Sequence, residues 1–455
     1  MGREKIFLAS RRASLENLGW VENADCDKKI FHLCLVLFYN VRMKKIIILV
    51  FACGLLAGCA KGMESRLDGV RGGFASQDFA SQNIGDSNLD PLLAGNALFQ
   101  QDRFSESDKA FEDINRRMRG AQGASLAGEA GKALTGRMSG AYKPYFMDDL
   151  FVSYYQLWDA LADGRAADAR VVINQSYAKQ QRLSGEFAGL IKSREKDDSG
   201  LGAKLRGENA VWESYRDIMN PALTYLAGIY FLNFASGAPD FETARTYLSR
   251  AAGMAPDAKF IDDDIALALS NKGPQGIVWV FIESGFAPKL VEKRIDWPIM
   301  TSNGIRSVSF AVSDAAEMPA PQRIEGAALI ADVDAMFMTE HKEYGVNEAL
   351  RAFASAASKL ALQGVAQDRL GPLGGLGATI YSIATNSAEV RTWATLPKQV
   401  WAMRVPKSKD NEGLIVFRSG GKVLSEVRIP SAGNHLVYIR YFGGEIKPKI
   451  IKLKG

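Results

Sequence analysis

The sequence predicts an α+β protein: a helical repeat domain over residues 90–272, then a mixed α/β domain over 273–455 that ends in an antiparallel sheet. Three observations predict it. From Asp90 to about Asn271 the apolar residues recur at helical spacing, and three segments place small residues opposite large ones at like offsets. At Gly276 the period changes, with short β-favouring runs set between Gly and Pro. The end of the chain alternates apolar and polar residues around paired glycines.

The first helical segment, "LLAGNALFQQDRFSESDKAFEDI", carries Gly95, Leu98, Phe104, Ser107 and Phe111. A tetratricopeptide unit fills these positions with small, large, aromatic, small and aromatic residues. "QLWDALADGRAADARVVINQS" repeats the spacing through Leu157, Ala160, Gly164, Ala169 and Ile173. In "FETARTYLSRAAGMAPD" it recurs as Ala244, Leu248, Ala251 and Pro256, preceded by the helix "PALTYLAGIYFLNFA". The first domain therefore reads as tetratricopeptide-like, with an ordinary helical bundle as the alternative. Such hairpins pack closely where small residues face large ones, and each leaves an apolar face for the next to cover. The Gly/Ala-rich stretch 120–144 reads as an insertion between the first two units, and the stretch 193–209 as a charged loop.

In the second half, "GIVWVFI", "IRSVSFAVS" and "RIEGAALIADV" predict strands, and an amphipathic helix is expected over 347–363. The strands "WAMRV", "GLIVFRSGGKVLSEVRIP" and "HLVYIRYFGGEIKPKIIKL" follow, with hairpin turns expected at Ser419-Gly420-Gly421 and Gly443-Gly444.

Upstream of both halves lies "MKKIIILVFACGLLAGCA", residues 43–60: a basic start, an apolar run too short to span a bilayer, and small residues before Cys59. Leu56-Ala57-Gly58-Cys59 resembles the lipobox of bacterial lipoproteins. The resemblance implies cleavage between Gly58 and Cys59, a diacylglyceryl group on the Cys59 sulfur, and a fatty acyl chain such as palmitate on the new amine. Residues 43–58 are then a lipoprotein signal peptide. Residues 1–42 read as an extension ahead of the true start at Met43, and 59–89 as a flexible tether rich in Gly, Ser, Asn and Asp. The four cysteines stand at 26, 34, 53 and 59, so cleavage leaves Cys59 alone, as expected for export without disulfides. Ala60 directly after Cys59, where an Asp would signal inner-membrane retention, points to the outer membrane, facing the periplasm.

Charge excludes one class of partner. The whole chain carries +5, but residues 1–58 hold nine Lys/Arg and five Asp/Glu, leaving a net of +1. That balance offers no basic surface for nucleic acid. After Cys59 only His341 and His435 remain, too few for a His/Cys metal centre, and a Ser-His-Asp triad is not expected. Asp262–Asp264 are expected to cap a helix. Asp332 and Asp334 share one face of an expected strand and are a weak hint of Ca²⁺. "GPLGGLG" at 371–377 lacks the Gly-Lys-Ser/Thr ending of a phosphate loop. No metal or cofactor is expected beyond the covalent lipid, and no enzymatic activity. The stretch "RTWATLP" places Arg391 and Trp393 on one side of an extended segment, a pairing found at binding hot spots and sugar platforms, or alternatively at a packed domain junction.

Four stretches resemble a family of bacterial outer-membrane lipoproteins with tetratricopeptide-like repeats: "GDSNLDPLLAGNALFQQDRFSESDKAFED", "NPALTYLAGIYF", "GIVWVFIESGFAPKL…RIDWP" and "EVRTWATLPKQVWAMRV". The last departs slightly, with Glu389-Val390 where an acidic residue usually sits directly before Arg391. Members of that family look like neighbours of lipoproteins that activate penicillin-binding proteins. The resemblance implies a cell-envelope role without an activity. The expectation is a lipid-anchored scaffold that binds an envelope protein through its helical repeats. A glycan- or peptidoglycan-binding module is the alternative, and a carboxylate-dependent hydrolase ranks last.

Overall fold

Three helix hairpins form one layer of the molecule and a five-stranded sheet forms the other. The structure is a computed structural model that describes residues 59–79, 83–121, 141–195, 219–301, 304–342, 344–345, 348–360, 387–407, 413–444 and 446–453. The helical layer comprises α2 (Leu89–Gln100) with α3 (Phe104–Ala121), α4 (Phe146–Ala162) with α5 (Ala166–Glu195), α6 (Pro221–Phe234) with α7 (Ala238–Met254), and then α8 (Phe260–Leu269). Ahead of them stands α1 (Cys59–Ala75).

The small-against-large pattern has direct physical content here. A Cβ on Gly95 would lie 2.7 Å from the Phe111 ring, and one on Gly228 would lie 2.7 Å from a Leu248 methyl. Ser107 Oγ donates to the Gly95 carbonyl at 2.9 Å, closing the same α2–α3 seam. Gly164, at φ +70°, turns the chain after α4 in the left-handed conformation that glycine adopts without penalty.

The main sheet has the order β4-β5-β1-β8-β9, from β1 (Ile277–Ser284), β4 (Ala328–Asp332), β5 (Gln399–Pro406), β8 (His435–Tyr441) and β9 (Lys449–Lys452). It is mixed, which corrects the expectation of an antiparallel terminal sheet: β8 runs parallel to β1, with Phe281 beside Tyr438. The physical reason is burial. Every residue of β1 and of β8 is buried, so both faces of the sheet centre are covered, the environment that suits parallel neighbours. Trp279, Phe281, Leu436 and Tyr438 face the helices, while Val278, Val280, Ile282, Val437 and Ile439 face the hairpin of β6 (Leu414–Ser419) and β7 (Lys422–Arg428). Gly420-Gly421 makes the expected two-residue turn of that hairpin, both at positive φ. Gly443-Gly444 instead lies within a longer connection between β8 and β9, which pair in antiparallel fashion.

A long hairpin of β2 (Lys289–Thr301) and β3 (Gly304–Ala316) forms a separate two-stranded sheet. The short helix α9 spans 333–342, and the expected amphipathic helix is present as α10 over 348–360. Ile295, Trp297 and Ile299 from β2 and Val308, Phe310 and Val312 from β3 pack on Ala349, Phe353 and Ala356 of α10.

The largest apolar core runs from Leu67 to Leu453 and draws on both sides of the expected boundary at 272/273. Where a flexible tether is expected over 59–89, the chain forms α1. Its Leu67, Val70 and Phe74 recur at helical spacing and are buried, whereas Gly62, Gly69 and Gly72 stand against open space. Among the described residues no helix is long and apolar enough to cross a membrane.

Candidate functional site

Between helices and sheet the apolar seam is interrupted by buried polar clusters, and the best-connected of them reaches α1. Glu283, on β1, is fully buried; its Oε2 accepts from Tyr155 Oη and Tyr438 Oη, each at 2.8 Å, and from Arg440 Nη1 at 3.4 Å. Gln100 Nε2 donates to the same Tyr438 hydroxyl at 2.8 Å. Burial pushes the Glu283 carboxyl up from its ordinary range, and Arg440 and the tyrosine hydroxyls work against that shift. Arg440 Nη2 also donates to the carbonyls of Gly285 (2.7 Å) and Thr395 (3.1 Å).

The Arg440 guanidinium lies over three rings: Phe442 at 4.8 Å, Phe286 at 5.4 Å and Phe74 at 5.5 Å from its carbon to the ring centroids. Phe74 belongs to α1, so the same cation that pairs with Glu283 holds the last turn of the first helix. Arg71 adds a second tie, donating to Asp68 at 3.0 Å and to Thr392 Oγ1 at 3.3 Å. Further along α1, Lys289 pairs with Asp68 at 2.9 Å, and the backbone N–H of Glu292 donates to Glu64 at 3.0 Å.

A second cluster centres on Asp264 of α8. Its Oδ2 accepts from Trp279 Nε1 and Tyr225 Oη, both at 2.9 Å, and its Oδ1 from Arg404 Nε at 2.8 Å. Burial raises this carboxyl also, against the pull of Arg404. A third holds the start of α4. Glu340 of α9 accepts from the backbone N–H groups of Phe146 and Met147, satisfying two donors that a helix N-terminus leaves open. Tyr142 Oη and Tyr145 N donate to Asp148 at 2.6 and 2.9 Å. Burial pushes Glu340 up to about 8 and Asp148 up to about 7.

Arg391 and Trp393 are brought together, but in the interior: they are 4 % and 2 % exposed, and residues 387–393 form no strand. Arg391 pairs with Asp86 Oδ2 at 2.5 Å and with Glu389. Burial favours the neutral guanidine, and the two carboxylates outweigh it, so the Arg391 pKa is raised. Trp393 packs with Phe111 and Tyr155 and donates from Nε1 to Thr395 Oγ1 at 2.9 Å. Of the two readings of the pair, this burial agrees with the packed junction and not with an exposed platform: Arg391 and Trp393 lie between helices and sheet, with Asp86 and Glu389 on the guanidinium.

The remaining candidate residues disperse. Asp262 and Asp263 lie in the first turn of α8 and not before it, and Asp264 turns inward. Asp332 ends β4 and accepts from the N–H of Ala335 as a helix cap, whereas Asp334 lies in α9 and pairs with Lys398; the strand face expected to hold both does not form. His341 meets the Tyr145 hydroxyl at 3.1 Å, and His435 meets Lys407 Nζ at 2.9 Å. Among the described residues no three His, Cys, Asp or Glu gather as a metal site. Gly58 and the 371–377 stretch lie outside the described residues, and Cys59 is the first residue of α1.

Sequence reasoning missed Glu283, Arg440 and Phe74. A charged residue in an otherwise apolar strand, as in "IVWVFIES" and "HLVYIRY", is the signal that marks the first two. Chemically, these clusters present carboxylates to tyrosine, tryptophan and arginine donors of another element, which binds layers together without exposing a reactive group. Comparison with protein-family models, curated protein sequences and solved structures finds no significant match.

Proposed function

We propose that this chain is a lipid-anchored scaffold of the bacterial envelope, held at the outer membrane by lipid on Cys59, facing the periplasm, and binding an envelope protein. The observation that carries the reading is the docking of α1: the helix that begins at Cys59 is fastened to the body by Phe74 and Arg71. A lipid on that residue orients the whole molecule on the membrane, which a loose tether would not do. The lipobox-like Leu56-Ala57-Gly58-Cys59 supports the anchor, and the Gly95–Phe111 and Gly228–Leu248 seams support a tetratricopeptide-like reading of the helix hairpins.

The hairpin faces turned toward the sheet are filled by the protein's own Phe281, Tyr438 and Trp393. The partner surface therefore belongs on the outer side of the helical layer, where Val171 and Leu269 stand 52 % and 59 % exposed. In-cell photo-crosslinking from positions 171 and 269, beside a Cys59→Ala control, tests the proposal. Capture of one envelope protein, lost in the control, is the expected result. Recovery of muropeptide in place of a protein would overturn it in favour of peptidoglycan binding.

A further inference from the structure

Near its end, one position before the last cross-strand pair Thr301–Gly304, the β2–β3 hairpin carries a pair of exposed apolar side chains. Met300 and Ile305 are direct cross-strand partners, so they share one face, and they are 80 % and 73 % exposed. They stand on the face opposite the Ile295, Trp297 and Ile299 row that packs on α10, with exposed Pro298 beside them. The other described hairpin, β6–β7, reaches at most 48 % among its exposed large apolar residues, at Val423.

The position of this tip relative to the N-terminus follows from three contacts. Phe74 meets Phe286, Asp68 meets Lys289, and Glu64 meets the N–H of Glu292. As residue numbers fall along α1 they rise into β2, so the helix and the strand run antiparallel and Cys59 points the same way as the hairpin tip. From Glu64 to Cys59 the helix advances about 7 Å at its usual rise. From Glu292 to Met300 the strand advances about 27 Å. The tip thus reaches on the order of 20 Å beyond Cys59 in the direction of the lipid. The polar zone on each side of a bilayer is only about 5–7 Å deep. A molecule anchored at Cys59 brings this tip to the bilayer even when it is strongly tilted.

We propose that the β2–β3 tip is a second membrane contact, with Met300 and Ile305 entering the leaflet that carries the Cys59 lipid, and exposed Arg306 at the level of the phosphates. The occupant is a phospholipid surface. The chemistry fits: two flexible or branched apolar side chains stand one pair behind the small Thr301–Gly304 end of the ladder, Pro298 follows on the same face, and a cation lies one residue behind Ile305. This inference rests on the proposed lipid anchor at Cys59.

The test uses the lipidated full-length mature protein in vesicles of phosphatidylethanolamine and phosphatidylglycerol. With Cys59 acylated, an introduced Ile305→Cys is the single free thiol and takes a bimane label; Lys422→Cys, the exposed first residue of β7, is the reference site. Nitroxide on the upper acyl chain should quench label 305 about threefold more than label 422, and aqueous iodide should quench it less. Adding Met300→Asp should return label 305 toward the reference. Iodide access equal to that of label 422 would overturn the proposal. Protection from both quenchers would also overturn it, since a protein, a second copy included, would then cover the tip. Intact mass separates the two layers of argument. Lipid on Cys59 with a water-exposed tip sinks only the hairpin contact, whereas an unmodified Cys59 sinks the anchor and the hairpin contact with it.

Discussion

Arg391 donates to the Asp86 carboxylate at 2.5 Å, joining a residue that precedes the first helix hairpin to one that precedes β5, 305 positions later. Asp86 serves more than this ion pair. It also accepts from the N–H groups of Asn88 and Leu89 at 2.9 Å and of Tyr142 at 2.9 Å. One carboxylate thus starts α2, fixes the approach to α4 and receives the cation of the far segment.

Replacing Arg391 with Ala removes that cation and leaves Asp86 buried. Breaking one partner of a buried pair costs about 3–5 kcal/mol, far more than the pair's own net contribution. Urea unfolding should therefore show Arg391→Ala destabilised by about that amount. The Asp86→Asn/Arg391→Met double variant should recover part of the loss, because position 86 then holds no unpaired buried charge and only the less deeply buried Glu389 is left without its cation. An Arg391→Ala protein as stable as the parent would show that the pair does not join the two segments.

The helix seams give a second prediction. Gly95→Ala puts a methyl 2.7 Å from the Phe111 ring, and the ring is enclosed by Tyr155 and Trp393. Overpacking of this kind costs about 1–3 kcal/mol. Phe111→Leu in the same chain makes room, so the double variant should be less destabilised than the two single losses added together. Strict additivity in chemical denaturation would mean that α2 and α3 separate on substitution and do not press together.

These two sites differ in how far the sequence discloses them. Gly95 and Phe111 stand sixteen positions apart within one helix hairpin, and helical spacing makes their contact readable. The partner of Arg391 is not readable, because nothing local links it to Asp86. The β2 strand shows a further limit. Its Ile295, Trp297 and Ile299 alternate as a strand should, yet Glu292, Lys293 and Arg294 just ahead of them, with Asp296 and Pro298 between them, disguise the run as a charged loop. The parallel pairing of β1 with β8 was hidden for another reason: both strands are apolar on each face, and such runs specify burial without specifying a neighbour. In α1 the glycines dominated the composition and concealed Leu67, Val70 and Phe74.

Acidity supplies the third prediction. Glu340 and Asp148 have folded-state pKa values raised to about 8 and about 7, chiefly by burial. A carboxyl whose pKa rises on folding favours the folded state most when protonated. Its contribution is complete below the unfolded pKa, near 4, and fades as pH climbs through 7 to 8. Thermal unfolding of the parent should lose Tm between pH 6 and pH 9 relative to a Glu340→Gln/Asp148→Asn variant, whose amide oxygens still accept from the start of α4. Parallel pH profiles for the two proteins would assign the slope to other groups.

The fourth prediction concerns how α1 is held. Phe74 is buried against Phe286 and Phe442 with Arg440 over the rings and is the largest apolar side chain that docks α1 beside the smaller Leu67 and Val70, whereas charged contacts such as Asp68 with Lys289 are partly exposed. Exposed pairs of that kind contribute at most about 1 kcal/mol, whereas truncating a buried Phe costs about 3–5. Phe74→Ala should therefore release α1 before the rest of the protein unfolds, since Glu283, Tyr155 and Tyr438 still hold Arg440 in the seam. Limited proteolysis would read this as early cleavage within 59–79, followed by a body that melts close to the parental temperature. Loss of the whole fold in one step would instead make α1 part of the cooperative core. Unchanged protease resistance over 59–79 would show that Leu67 and Val70 in the core, with Arg71 on Thr392, suffice to dock the helix.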